Sequence, residues 1–392
     1  MKIENCKLKI GIVIAVLQFA ICNLQFAMAD ATWTLTTADF KSQPADLKSV
    51  DKDALHLSIN NQNQSLPLSQ FLSIERTALP PSHPAKFLLH LTTADTIAGS
   101  PTSLANEQLA WKSPLLGDLV IPIRQIQSIT RPDVKITEEK HTQDVVTMIN
   151  GDTLRGIIAE ISADKISLQS DTDTTPIPLD SVAAIALATQ SPTTQPSELN
   201  TALRVSLTDG SVITAAALTS GEKSWTITLA DKSTRSIDLA AISSIEQING
   251  PVSWLPARTP TEIAQIPYFG STWPTRFDRS VTNQPLTFGG KIFHHGIGVH
   301  SFSRITYPLD GTYSTFRTQY AIDGDEPYAD VTVRILLDGK VAHEQKNVHA
   351  GQLSPVVQIP LASAKSLTLE VDYGNNRDTQ DRLNWIEPAL VK

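Results

Sequence analysis

The sequence predicts an all-β protein in two parts, with small β repeats up to residue 249 and a larger strand-rich domain after it. Three observations predict this. A nine-residue signature recurs four times at nearly fixed spacing. Apolar and polar residues alternate with period two around each copy, and again toward the C-terminus. Aromatic content rises sharply near residue 250.

Residues 1–29 come first and are set apart. Lys2, Lys7 and Lys9 precede the run "IGIVIAVLQFAICNLQFAMA", which closes on Ala27-Met28-Ala29. A positive segment, an apolar segment and an A-x-A ending read as a secretory signal peptide. Gln18, Asn23 and Gln25 interrupt the run, leaving it short of the roughly 20 apolar residues that span a bilayer. No membrane span is expected after its removal, and the expected location is secreted, periplasmic or at the cell surface. Both cysteines, Cys6 and Cys22, lie in this leader, so cysteine nucleophiles and thiolate zinc sites are excluded downstream. Removing the leader's three Lys and one Glu takes the formal net charge from −8 to −10. A chain this acidic, with no basic stripe, does not suit nucleic acid.

The repeats follow. The signature reads "LPLSQFLSI" (66–74), "IPIRQIQSI" (121–129), "IPLDSVAAI" (177–185) and "IDLAAISSI" (237–245), apolar at its first, third, sixth and ninth positions. The closing Ile residues are 55, 56 and 60 residues apart. Each copy follows an alternating run, "LHLSI", "LAWK", "ISLQ" or "WTITL", and turn-plus-strand openings such as "ADTIAG", "NGDTLRG" and "TDGSVIT" lie further upstream. A fixed period marks a repeated supersecondary unit. The expected unit has three or four short strands, and the signature is a strand ending in a helical turn. One unit is too small to bury its own face, so units are expected to pair into barrel-like bodies. Repeats 1 and 2 are assigned to 30–131 and repeats 3 and 4 to 145–249. The segments 79–85, 131–144 and 189–200 read as linkers.

Residues 30–250 hold six aromatics (Trp33, Phe40, Phe71, Phe87, Trp111, Trp225), whereas 251–392 holds fifteen and every Tyr. Such a shift in bulky, stacking side chains marks a new domain, placed at 252–392. Its runs "RITYPL", "DVTVRILLDGK", "VVQIPLA" and "SLTLEVDYG" alternate as half-buried strands, with Asp310-Gly311 and Asp338-Gly339 as turns. No nucleophile elbow, phosphate loop, dinucleotide glycine motif or HExxH occurs. Three of the nine histidines crowd into "HHGIGVH", but His294 and His295 are adjacent and His300 lies five further on. No single strand face presents all three to a metal. Carboxylate pairs such as Asp323 with Asp325 are what any acidic loop shows. Binding is therefore expected over catalysis.

One stretch carries a specific resemblance. "DRSVTNQPLTFGGK" (278–291), "HHGIGVHSFSRITYPLDGTYSTF" (294–316), "YAID" (320–323), "VTVRILLDGK" (331–340) and "DRLNWIEPAL" (381–390) resemble the NPCBM family, a carbohydrate-binding module found beside family 98 glycoside hydrolases. The resemblance covers about 252–392. It departs from the family at Ala321-Ile322-Asp323-Gly324-Asp325, where Gly-Ile-Asp-Asp is common. It departs again at Asp381-Arg382-Leu383-Asn384-Trp385, where Asp-His-Ala-Asp-Trp is common. The resemblance implies a galactose-binding-like β-sandwich (jelly roll), with function on the loops at one end.

On such loops a sugar is held by an aromatic plate and by groups that grip its hydroxyls. Trp273, in "GSTWPTR", is the candidate plate, or else a rim-packing indole. Trp385 is read as core. Asp323, Asp325, Glu326 and Tyr328 share a loop that could hold hydroxyls or simply be a solvated turn. Asn375, Asn376 and Arg377 offer mixed donors and acceptors, and His300 is a structural hydrogen-bonder or a ligand contact. No cofactor is expected, although relatives of this sandwich imply a structural calcium, for which Asp378 and Asp381 are weak candidates. The expected function is a secreted, non-catalytic carbohydrate-binding protein. Its repeats would act as a spacer or as a platform for other extracellular proteins. Two alternatives stay open, a structural protein using the sandwich for protein contacts and an accessory subunit of a glycoside hydrolase.

Overall fold

The computed structural model describes residues 32–78, 85–132, 134, 142–170, 173–188, 202–221, 224–229, 232–248, 250–270 and 272–392. The signal peptide assigned to 1–29 and most of the three linkers lie outside the described residues. The protein is all-β apart from short 3-10 turns, and no helix among the described residues is long and apolar enough to cross a membrane. It divides into two compact units, with the break between Gln247 and Ile248.

Each repeat has five strands rather than three or four. In the first they are Trp33–Thr37, Ser42–Val50, Ala54–Ile59, Gln62–Pro67 and Phe71–Arg76. The fifth strand pairs back onto the first, with Ile74 opposite Leu35, so the unit closes on itself. The same closure joins Phe87–Leu91 to Ile126–Thr130, and Asp144–Met148 to Val182–Ala186. Closure and the pairing of the repeats together leave Leu35, Leu55, Leu57, Phe71 and Ile74 at or below 1% exposure, in one core that runs through all four repeats. Each such side chain contributes roughly 1.5–3 kcal/mol by leaving water.

The helical turn lies inside the signature instead of at its end. Pro67, Pro122 and Pro178, at φ near −60°, introduce the turns Leu68–Gln70, Ile123–Gln125 and Leu179–Ser181. The fourth repeat has Asp238 there, and its carboxylate caps the turn by accepting from Ala240 N at 2.8 Å. The sixth and ninth positions then sit on the fifth strand. Residues three apart on a regular strand face opposite sides, yet Phe71 and Ile74 are both fully buried. A bulge resolves this: Ser73 faces Thr36 and Phe71 faces Thr37, leaving Leu72 as the extra residue.

The repeats also pair with one another, in a nested order. Ile74 of the first lies opposite Ile245 of the fourth, and Ile129 of the second opposite Ile185 of the third. An arginine two residues beyond the signature clamps each junction. Arg76 donates to the carbonyls of Ile242 (2.7 Å) and Leu239 (2.8 Å), with its guanidinium 4.3 Å from the Trp33 ring centroid. Arg131 donates to Val182 O (2.7 Å) and Asp180 O (2.6 Å), and stands 5.4 Å from the Phe87 ring centroid.

The C-terminal unit is a two-sheet β-sandwich. One sheet orders the strands Arg276–Phe277, Gly296–His300, Arg382–Val391, Thr315–Ile322 and Val357–Pro360, with Val252–Trp254 also pairing Arg382–Val391. The other orders Glu262–Gln265, Ser303–Pro308, Ser366–Tyr373, Val331–Leu337 and Lys340–Val348. Ile297, Val299, Phe316, Val333, Leu369 and Trp385 meet between the sheets, each at most 1% exposed. Trp385 is core, edge-on to Tyr320 at 5.8 Å.

Candidate functional site: the loop end of the sandwich

Five connections meet at one end of the sandwich: 266–275, 301–302, 323–330, 349–356 and 374–381. Alternation along the strands puts apolar residues between the sheets, so polar residues here fall in the turns and bond one loop to the next. Ile266 and Phe302 exchange backbone bonds, N to O at 2.9 Å and 3.3 Å. Asn376 Nδ2 donates to Tyr328 O (3.0 Å), and Tyr328 N donates to Gln380 Oε1 (3.0 Å). His349 Nδ1 donates to Ala329 O at 2.9 Å.

Three buried aspartates tie the end together. Asp330 Oδ2 accepts from Asn375 N (2.8 Å) and Asn375 Nδ2 (2.7 Å). Gly374 runs so close to Asp330 that a Cβ there would lie 2.0 Å from the Asp330 carbonyl oxygen. Asp378 Oδ2 accepts from the N–H groups of Tyr268 (2.7 Å) and Phe269 (3.1 Å). Asp381, fully buried, accepts from Ser301 Oγ (2.6 Å) and Asp330 N (3.1 Å). Burial, with Asp330 and Asp378 adding repulsion, pushes the Asp381 carboxyl up to about 7 against those two hydrogen bonds. Asp378 and Asp381, the calcium candidates, thus serve as hydrogen-bond acceptors. Among the described residues no group of three or more His, Cys, Asp or Glu is placed to hold a metal ion.

The structure brings the sequence candidates to this end in distinct roles. Trp273 is half-buried and lies flat against the imidazole of His300, with centroids 5.3 Å apart and 8° between the planes. His300 is 5% exposed and donates from Nδ1 to Ser301 O at 3.1 Å. Burial holds its imidazole below the ordinary histidine value, helped by Arg382 and opposed by the Ser301 carbonyl and Asp378. Glu326 forms an ion pair with Arg382. Asp323 accepts from Asn384 Nδ2 (3.0 Å) and from Thr282 Oγ1 (3.4 Å). Asp325, Tyr328, Asn375, Asn376 and Arg377 are exposed.

Sequence reasoning did not single out Tyr268, Phe269, Asp330, Gln380 or Arg382. Tyr268 and Phe269 stand outward beside Gly270, 51% and 59% exposed, and two adjacent exposed aromatics are the signal that could have found them. The other histidines part company with His300. His295 stacks on Trp254 at 4.4 Å and lies 3.6 Å from Asp278, while His294 is exposed.

The C-terminal unit is thus a two-sheet sandwich with a half-buried indole and charged, amide-rich loops gathered at one end. Residues 263–391 match the family model of the NPCBM/NEW2 domain, so this third of the chain is an NPCBM module. Alpha-1,3-galactosidase B of Akkermansia muciniphila is 29% identical over 123 residues, which is 30% of this chain and 15% of that relative's length. Three solved structures are similar. The second CBM51 module of Clostridium perfringens ZmpB with its INT domains, in complex with GlcNAc, is 22% identical at TM-score 0.33, over 43% of this chain and 36% of that one. The CBM51 module of Clostridium perfringens GH95 in complex with methyl-galactose is 21% identical at TM-score 0.32, over 36% of this chain and 99% of that one. The tandem CBM51 modules of the family 98 glycoside hydrolase of Streptococcus pneumoniae are 13% identical at TM-score 0.32, over 91% and 87%.

Proposed function

We propose that the chain is a secreted, non-catalytic glycan-binding protein, with the sandwich gripping sugar at its loop end and the repeats acting as spacer or partner platform. The stacked pair of Trp273 and His300 carries this reading. A buried imidazole fixes the orientation of a partly exposed indole, which suits stacking on the C–H face of a pyranose. Arg382, close enough to perturb His300, is paired with Glu326, and such a charged pair donates to and accepts from sugar hydroxyls. Three buried aspartates hold the loops, so the groups are ordered before ligand arrives.

Glycan-array binding of the full chain, with and without EDTA, tests the proposal. Binding lost in Trp273→Ala supports it, whereas binding to no glycan favours protein contacts instead. Turnover in a polysaccharide-hydrolysis assay would overturn the non-catalytic part.

A further inference from the structure

Arg377 presents an open guanidinium on an aromatic seat at the same end of the sandwich. Its Cζ lies 5.0 Å from the Tyr268 ring centroid and 5.7 Å from that of Phe269. Tyr268 meets Phe269 edge-on at 5.0 Å and Tyr373 edge-on at 5.6 Å, so the rings brace one another. A cation held over aromatic rings in this way is attracted by the ring faces and not by hydrogen bonds, so the N–H groups of the exposed Arg377 stay available to a ligand. Among the described residues, Arg377 has neither an ion pair nor a side-chain hydrogen bond. The adjacent Asp378 carboxylate is buried and accepts from the backbone N–H groups of Tyr268 and Phe269, which fastens the aromatic loop to the arginine loop. Arg377 itself sits at φ 61°, a left-handed conformation that is strained for a side chain of its size.

A rigid, exposed and unpaired fork on an acidic protein is a directed receptor for an anion, because the chain's formal net charge of −8 opposes indiscriminate anion binding. Two parallel N–H donors fit the planar geometry of a carboxylate. We infer that Arg377 binds the carboxylate of an acidic sugar, so that the glycan held at this end carries a sialic or uronic acid unit beside the one stacked on Trp273. This rests on the glycan-binding reading above and adds the class of sugar to it.

The test prints neutral glycans beside their sialylated, uronate-bearing and sulfated counterparts, and probes them with the full chain and with Arg377→Gln, Arg377→Lys and Tyr268→Ala. The carboxylated members should bind about tenfold tighter than the neutral ones, as expected for charge-assisted hydrogen bonds at a partly exposed site. Arg377→Gln should erase that ratio, and Arg377→Lys should keep only part of it, since an ammonium lacks the fork. Tyr268→Ala, which unseats the guanidinium without removing it, should also lower the ratio. Raising the salt should shrink it in the unmodified chain. Neutral binding with no acidic preference, or a preference that survives Arg377→Gln, overturns this inference alone. Sulfated members bound as tightly as carboxylated ones overturn the carboxylate assignment. Binding to no glycan overturns the underlying reading as well.

Discussion

The indole of Trp273 stacks nearly parallel to the imidazole of His300, with centroids 5.3 Å apart and 8° between the ring planes, and the histidine beneath it is 5% exposed. Truncation to Trp273→Ala should weaken glycan binding by about tenfold or more and uncover His300. Burial is what holds that imidazole below 6.5, so uncovering it should raise its midpoint toward 6.5. The sign for stability follows. The unfolded chain takes up the proton first, so the contribution of His300 is complete above 6.5 and is lost as pH falls through the folded value. NMR titration of the His300 ring reads this directly, and an unchanged midpoint would show that the indole does not shield it.

Asp381 acts in the opposite sense. Its carboxyl is held at about 7 in the fold against 3.8 in the open chain, so the folded form keeps a proton that the unfolded form has lost. Its contribution is complete below pH 3.8 and decays as pH rises toward 7, a loss of order 3–4 kcal/mol. In Asp381→Asn the amide oxygen still accepts from Asp330 N, and the amide N–H can donate to Ser301 Oγ. The variant should therefore lack the Asp381 contribution to the pH slope between pH 5 and 7.5 and gain on the parent chain as pH rises. Equal pH slopes in the two proteins would refute the assignment. Subtracting the two curves removes the histidine contributions.

Gly298 separates Ile297 from Val299, both of which face the core, and its own position presses on a neighbouring turn. A Cβ there would lie 2.3 Å from Val281 N, 2.4 Å from the Ser280 carbonyl carbon and 2.6 Å from Arg279 O. Those are backbone atoms and cannot swing aside. Gly298→Ala should cost about 3 kcal/mol or more, by analogy with overpacked cores. Chemical denaturation would expose the error if the loss were under about 1 kcal/mol.

This glycine also shows what the sequence could disclose. "GIGVH" looks like a histidine motif, yet its glycines provide clearance and its Ile and Val fill the core. Strands were legible wherever period-two alternation held, and the repeats were legible because each copy closes on Ile. The fifth strand was not, because the bulge at Leu72 breaks the alternation that marks a strand. Nesting of the repeats was hidden for another reason: it depends on contacts such as Arg76 with Ile242, which are 166 residues apart. At the loop end, Trp273 and the acidic and amide loops stood out by chemistry. Asp330 did not, because its role depends on Asn375 and Asp381 arriving from another loop.

Arg76 and Arg131 should each carry a junction between repeats. Arg76→Ala strips two carbonyls of their donor and takes a cation off Trp33, a loss of about 2–3 kcal/mol. Arg76→Lys should recover less than half, since one ammonium cannot reach both oxygens in the same geometry. The two junctions share no residue, so the cost of Arg76→Ala with Arg131→Ala should be the sum of the single costs. Urea denaturation followed by Trp fluorescence measures all three. A double variant no worse than one single variant would show that the clamps are not independent.

Nested pairing makes the sharpest demand on the repeats. Glu75 faces Ser244 across the junction of the first and fourth, and Ser128 faces Ala186 across that of the second and third. Directly opposed residues in an antiparallel ladder bring their Cβ atoms to about 4.5–5.5 Å, close enough for a disulfide after small adjustment. The native cysteines, Cys6 and Cys22, can be changed to Ser to give a clean background. Glu75→Cys with Ser244→Cys should then oxidise to an intramolecular bridge, as should Ser128→Cys with Ala186→Cys. The crossed combination, Glu75→Cys with Ala186→Cys, should stay reduced, because those residues belong to different junctions. Non-reducing electrophoresis and peptide mass mapping would distinguish these outcomes. Efficient bridging in the crossed pair would mean that the repeats associate in some other order.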